Sequence, residues 1–184
     1  LEFMNSKNGR TFLAKLRKKI IFVDLKLNDT VNTMLSAVKA LKDIKINYLT
    51  VHISSGLAAL KAVKKISGPT RIVGVTTLTS LNNNDLKLIG YNKSVKNLVA
   101  HQAKLAKKAN LDALVCSPYE VSAVRKIFKK EIITPGVQIG KKNYDQKRSM
   151  EAKKVNSDWL VIGRAITARG NIKKNIQNLI EKLR

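Results

Sequence analysis

Six short apolar runs rich in β-branched residues recur along the chain: "KIIFVDLKL" (19–27), "INYLTVHI" (46–53), "RIVGVTTLTS" (71–80), "LDALVCS" (111–117), "EIITPGV" (131–137) and "SDWLVIG" (157–163). Near-continuous hydrophobic runs of this length are strands of the buried parallel kind. Between them lie segments with helical spacing. In "TVNTMLSAVKALK" the residues Val31, Leu35, Val38 and Leu41 share a face, and in "SVKNLVAHQAKLAKKA" so do Val95, Leu98, Val99 and Leu105. Such alternation leaves few solutions: an α/β chain with a parallel sheet and helices outside, either an open doubly wound sheet or a (β/α)8 barrel of TIM type.

The strand ends favour the barrel. Each run closes on polar or small residues: Asp24 and Lys26, His52 with Ser54, Thr79 with Ser80, Ser117, Thr134 with Gly136, and Gly163 with Arg164. A barrel gathers all its carboxyl ends at one mouth, whereas an open sheet concentrates polar groups near its switch point. Eight units usually need more than about 200 residues, and the chain has 184. The expectation is therefore six β-α units in this chain, with the first two missing. Residues 1–8 read as an irregular N-terminus whose opening "LEF" before Met4 resembles a cloning scar, and residues 9–184 as one barrel domain.

Composition narrows the function classes. The longest apolar runs are of strand length and broken by charge, far short of the roughly 20 residues of a membrane-spanning helix. A single cysteine, Cys116, cannot form an internal disulfide, and no secretory leader is visible, so a cytoplasmic protein is expected. The 36 basic against 12 acidic residues give a formal charge of +24. Clustered cations would indicate nucleic acid. Here they come as scattered pairs, Lys64-Lys65, Lys107-Lys108, Lys129-Lys130, Lys153-Lys154 and Lys173-Lys174, mostly on polar helix faces, and aromatics at 5% offer little to stack on bases. No nucleic-acid or membrane partner is expected, but the charge should attract anionic substrates.

Against that excess of cation, "FVDLKLNDTVNT" places Asp24, Lys26 and Asp29 within six positions. In a regular strand side chains two apart share a face, so Asp24 and Lys26 should point the same way, with Asp29 in the loop beyond. Flanking carboxylates keep a lysine charged in a cleft, and such a lysine can protonate a developing carbanion. An ordinary ion pair closing a strand is the structural alternative. Cys116, Phe22 and Trp159 read as core, His101 as a helix residue, and His52 as a hydrogen-bonded structural histidine or a substrate contact.

"DLKLNDTVNT" resembles the Asp-x-Lys-x-x-Asp signature of the orotidine 5'-phosphate decarboxylase family, with Asn32-Thr33 matching its Asn-Thr pair. Further similar blocks follow in order: "LTVHISSG", "VTTLTS", "LVCSPYE", "TPGV", "DQKR" and "VIGRAIT". The resemblance implies a TIM barrel that converts orotidine monophosphate to uridine monophosphate and carbon dioxide, a step of pyrimidine biosynthesis, without metal or organic cofactor. It implies Lys26 as proton donor to C6 of the pyrimidine and Asp24 beside the substrate carboxylate. Asp29 and Thr33 would reach into a neighbouring subunit's site, implying a homodimer with shared sites. Thr79 and Ser80 would contact the pyrimidine, and Gln146, Gly163 and Arg164 the phosphate.

The sequence departs from the family at three points. The two units that precede the motif strand, with a further Asp and Lys, are not in it. Gln138 stands where the family usually has a phosphate-binding Arg, keeping a donor but losing the charged fork, with Lys141 or Lys142 nearby to compensate. Val31 replaces a Pro or Gly. Two other readings stand beside the decarboxylase: a metal-dependent sugar-phosphate decarboxylase or hexulose-phosphate synthase sharing the same strand motif, and an inactive, N-terminally truncated anion-binding scaffold.

Overall fold

The structure, a computed structural model, describes residues 8–16, 18–138, 150–151, 155–168 and 170–183. In chain order these form α1 (Gly9–Lys15), β1 (Phe22–Leu27), α2 (Val31–Ala40), β2 (Tyr48–His52), a 3-10 turn (Ile53–Ser55), α3 (Leu57–Ile66) and β3 (Arg71–Val75). There follow α4 (Asn83–Leu88), α5 (Val95–Lys108), β4 (Ala113–Val115), α6 (Val121–Ile127), β5 (Glu131–Thr134), β6 (Val137–Gln138), β7 (Met150–Glu151), β8 (Trp159–Leu160), α7 (Arg164–Thr167) and α8 (Ile172–Leu183). Each of the six expected apolar runs contains a strand, shorter than the run that announced it. The chain divides into two compact units, Leu1–Thr76 with Lys104–Leu114, and Thr77–Ala103 with Val115–Arg184, and the division falls inside β4.

In the first unit β2 pairs in parallel with β1 and with β3, the latter in unbroken register from Tyr48↔Arg71 to His52↔Val75. Leu49, Val51, Ile72 and Val73 are fully buried in these strands, and helices α2 and α3 pack on each other. The buried stripe of α2 is Met34, Val38 and Leu41, while Val31 and Leu35 are only half-covered. Gly74 is a packing requirement: a Cβ there would lie 2.8 Å from Leu111 Cδ1 and 3.0 Å from Leu114 Cδ2. In the second unit β5 pairs in parallel with β8 and β6 with β7, and the core includes Val99, Val124, Phe128 and Ile132.

One device recurs at the amino ends of the strands. Asn47, Asp112 and Asp158 each immediately precede a strand, and each exchanges two hydrogen bonds with an isoleucine at or just before the start of another. Asn47 donates its amide to Ile21 O (2.9 Å) and accepts Ile21 N–H on Oδ1 (2.8 Å). Asp112 does the same with Ile72 (3.0 and 2.8 Å), and Asp158 with Ile132 (3.0 and 2.7 Å). The two carboxylates add a helix cation, Lys64 of α3 on Asp112 (2.6 Å) and Arg125 of α6 on Asp158 (2.5 Å). One short acidic side chain thus closes a strand start and anchors the preceding helix.

Of the expected core residues, Cys116 is buried as anticipated. Phe22 and Trp159 are not core: they are 37% and 43% exposed, although Val23 beside Phe22 on β1 is buried. The described lysine pairs are mostly solvated, as expected, Lys64 being the exception through its bond to Asp112. Lys153-Lys154 lie outside the described residues.

Removing a carboxylate that satisfies a part-buried amide leaves that amide unpaired. Asp112→Ala is therefore expected to lower the free energy of unfolding by about 2 kcal/mol. Asp112→Asn, which keeps the acceptor for Ile72 and loses only the charge, should cost less than half of that in urea denaturation.

Candidate active site

The charged cluster stands at the carboxyl end of β1. Its parallel partner advances more slowly: Val23 pairs with Leu49 and Leu27 with Val51, so β1 takes four steps where β2 takes two. Within this bulge Lys26 adopts φ +51°, a left-handed conformation that costs a non-glycine residue of the order of 1 kcal/mol. Lys26 Nζ lies 2.5 Å from Asp24 Oδ2. The two side chains do meet as expected, but through a bulge and a left-handed backbone, not through regular alternation.

Thr50, fully buried in the middle of β2, completes the cluster. Its hydroxyl donates to Asp24 Oδ1 (2.9 Å) and accepts the Lys26 backbone N–H (2.8 Å). Asp29 does not share the lysine. Its carboxylate accepts the amide of Thr30 (2.6 Å), and it is exposed, as is Thr33, whose hydroxyl lies 3.0 Å from that of Thr30. The picture of two carboxylates around one lysine is corrected accordingly: Asp24 is the ion-pair partner, and Asp29 faces outward at the start of α2. The pair is also more open than a buried cleft would make it, Lys26 being 35% and Asp24 44% exposed.

His52 closes β2 beside this cluster. Burial holds its pKa below the ordinary histidine value, the positive charge of Lys26 pushes it further down, and Asp24 opposes both. It belongs electrostatically to the charged site, which the simpler structural reading did not anticipate. Nearby, Ser54 donates to Asn28 Oδ1 (3.3 Å), joining the loops that follow β1 and β2.

The second unit carries the other expected contacts. Thr79 and Ser80 are not on a strand: β3 ends at Val75, and they occupy a turn closed by Leu81 N–H on Leu78 O (3.0 Å). Two residues earlier, Thr77 donates both its amide (2.9 Å) and its hydroxyl (3.1 Å) to Oε1 of the buried Gln102. Gln102 was not singled out from the sequence, where a lone glutamine on an amphipathic helix carries no signal. Glu120, also buried, accepts the amide of Ser117 (3.0 Å) and its hydroxyl, fixing the "SPYE" turn. Gly163 precedes the short helix α7, where its carbonyl accepts Ile166 N–H (2.8 Å) and a side chain built on it would meet nothing within 4 Å. Arg164 follows as the exposed first residue of α7. Gln138 lies on β6, and Gln146, Lys141 and Lys142 lie outside the described residues.

Parallel strands alternating with helices make this a protein of TIM-barrel type, and the lysine–carboxylate pair stands at a strand's carboxyl end, the side on which that fold carries its active sites. The chain matches the model of the Orotidine 5'-phosphate decarboxylase / HUMPS family over residues 4–179, and it belongs to that family. It is 38% identical to orotidine 5'-phosphate decarboxylase of Buchnera aphidicola subsp. Schizaphis graminum, over 96% of this chain and 80% of that protein. It is 41% identical to the enzyme of that name from Wolbachia pipientis subsp. Culex pipiens, over 89% of this chain and 75% of the relative. Among solved structures, orotidine 5'-phosphate decarboxylase from Lactobacillus acidophilus superposes with a TM-score of 0.76 at 28% identity, covering 89% of this chain and 75% of that one.

The depressed pKa of His52 has a definite sign in stability. The unfolded chain binds a proton more readily than the folded one, so the contribution of neutral His52 is complete above about pH 6.5 and is lost as pH falls through the lower folded value. His52→Asn should flatten the pH dependence of the unfolding free energy on the acid side of pH 6.5. Equal slopes for the two proteins in urea titrations between about pH 5 and 7 would refute the assignment.

Proposed function

We infer that this chain is a carboxy-lyase that converts orotidine 5'-phosphate to uridine 5'-phosphate and carbon dioxide in pyrimidine biosynthesis. The observation that carries the reading is the Asp24–Lys26 pair held at the carboxyl end of β1 in a chain of this family. The bond between C6 and the carboxylate breaks, carbon dioxide leaves, and the electron pair stays at C6. Lys26 Nζ gives up a proton as the new C6–H bond forms, and the resulting amine recovers one from solvent. Asp24 holds and aims the ammonium, and its own negative charge against the substrate carboxylate is relieved as carbon dioxide departs.

Phosphate recognition is assigned to Gly163 and Arg164, with Gln146 and Gln138 as hydrogen-bond donors. The open space at Gly163 and the exposed guanidinium beside it support this reading. Thr79 and Ser80 are assigned to the pyrimidine. Asp29 and Thr33 face solvent at the start of α2, as they would if a second copy of the chain borrowed them in a homodimer. The +24 charge draws in the anionic nucleotide. No described helix is long and apolar enough to cross a membrane, and the cytoplasm is the proposed site of reaction.

The test is the fall in orotidine monophosphate absorbance. The chain should turn the nucleotide over, and Lys26→Ala should lower kcat by at least about 100-fold with the fold intact by circular dichroism. Arg164→Ala should cost about 10-fold or more in kcat/KM, as loss of a charge-assisted contact to phosphate. Near-normal turnover by Lys26→Ala would overturn the mechanism.

A further inference from the structure

We propose that Thr50 is the positioning residue of this site: one buried hydroxyl fixes both the backbone of Lys26 and the carboxylate of Asp24, and so sets where the lysine's ammonium points. The inference rests on the decarboxylase reading for its catalytic consequence, while its structural content stands on the geometry alone.

The three bonds form a closed ring. Lys26 N–H donates to Thr50 Oγ1 (2.8 Å), Thr50 Oγ1 donates to Asp24 Oδ1 (2.9 Å), and Lys26 Nζ donates to Asp24 Oδ2 (2.5 Å). A hydroxyl has one proton to give and lone pairs to receive with, so giving to the carboxylate and receiving from the amide use it consistently and leave its rotor no second choice. The lysine's backbone is thereby tied to Thr50 directly and its ammonium through Asp24, so Thr50 is the one point from which both ends are held. That point is the rigid member of the ring: Thr50 is 0% exposed inside β2, whereas Asp24 and Lys26 are 44% and 35% exposed. Water could replace a partner at the open side of the ring, but not at the buried hydroxyl.

The backbone explains why a side chain is needed there. Because β1 takes four steps against two of β2, the amide of Lys26 meets a threonine hydroxyl on the neighbouring strand in place of a main-chain carbonyl. The left-handed φ of +51° at Lys26 is strained for a lysine, and the bond to Thr50 holds it. Valine would fill the same volume and leave the amide and one carboxylate oxygen without their partner. Serine would keep both bonds and lose only a methyl group.

The experiment compares Thr50→Val and Thr50→Ser with the wild-type chain in two readouts. In steady-state turnover of orotidine monophosphate, Thr50→Val should lower kcat about 10-fold or more with KM within about 2-fold, since hydrogen bonds to charged groups are of that strength. Thr50→Ser should restore most of the loss. In 15N–1H spectra the Lys26 amide should move upfield in Thr50→Val and return in Thr50→Ser, whether or not the protein turns substrate over. Should valine prevent folding, Thr50→Ala removes the same hydroxyl and is read in the same way. Wild-type kcat in the hydroxyl-less variant, a KM rise without a kcat change, or an unmoved Lys26 amide would each overturn the proposal. An inactive wild-type chain would instead refute the decarboxylase reading and leave the amide shift to decide the role of Thr50.

Discussion

A parallel strand starts with amides that its neighbour cannot reach, and burying them without acceptors costs more than a typical hydrogen bond returns. In this chain Asn47, Asp112 and Asp158 remove that cost at the amino ends of the strands by accepting the amides of Ile21, Ile72 and Ile132. The carboxyl ends are left free to carry residues chosen for other reasons. A β/α fold divides its labour this way, stability at one end and chemistry at the other. The carboxylates differ in what they hold: Asp112 and Asp158 bind a backbone amide and a helix cation, while Asp24, within β1, binds a lysine and a hydroxyl.

Energetics separates the two kinds of pair. Ion pairs as open as Asp24 with Lys26 contribute between nothing and about 1 kcal/mol to stability. A left-handed lysine costs about as much. The ion pair and the backbone strain therefore roughly cancel, and what stability the cluster has comes from the two bonds of the buried Thr50 hydroxyl. Strain held in place by a buried threonine, next to a half-buried histidine whose proton affinity is depressed, is consistent with the catalytic role proposed for this cluster.

How much of this was legible in the sequence follows from the range of the interactions involved. The six β-branched runs gave all six strands of the β/α alternation because burial on both faces dictates composition locally. The strand ends were overrun: "RIVGVTTLTS" looks like one strand, yet β3 stops at Val75, because Gln102 from α5 captures Thr77 and a turn closes at Leu78–Leu81. A glutamine some 25 positions away leaves no local trace. The Asp-Lys pairing was legible from spacing, but its cause was not, since the bulge depends on the register between β1 and β2. Asp29 misled for the opposite reason: its proximity in sequence suggested a shared lysine, and the turn into α2 directs its carboxylate to the Thr30 amide instead. Phe22 and Trp159 have core composition, yet each projects from a face of its strand that is left partly uncovered, which residue type alone does not reveal.

The scarcity of acid makes the remaining carboxylates informative. With 12 acidic residues against 36 basic ones, a surface carboxylate has no shortage of lysines to pair with, and chance pairs should be common. Yet most described acids hold backbone. Asp85 receives the Asn82 amide in the cap of α4, Glu120 the Ser117 amide, Asp29 the Thr30 amide, and Asp112 and Asp158 the strand starts. Asp43 pairs with Arg10 on the exposed surface. Asp24 accepts no backbone amide among the described residues; both its oxygens are engaged by side chains, one by Thr50 and one by Lys26. A carboxylate that caps no strand or helix start among the described residues, and forms a pair too open to add much to stability, fits the proposed role of aiming the Lys26 ammonium at the carboxyl end of β1.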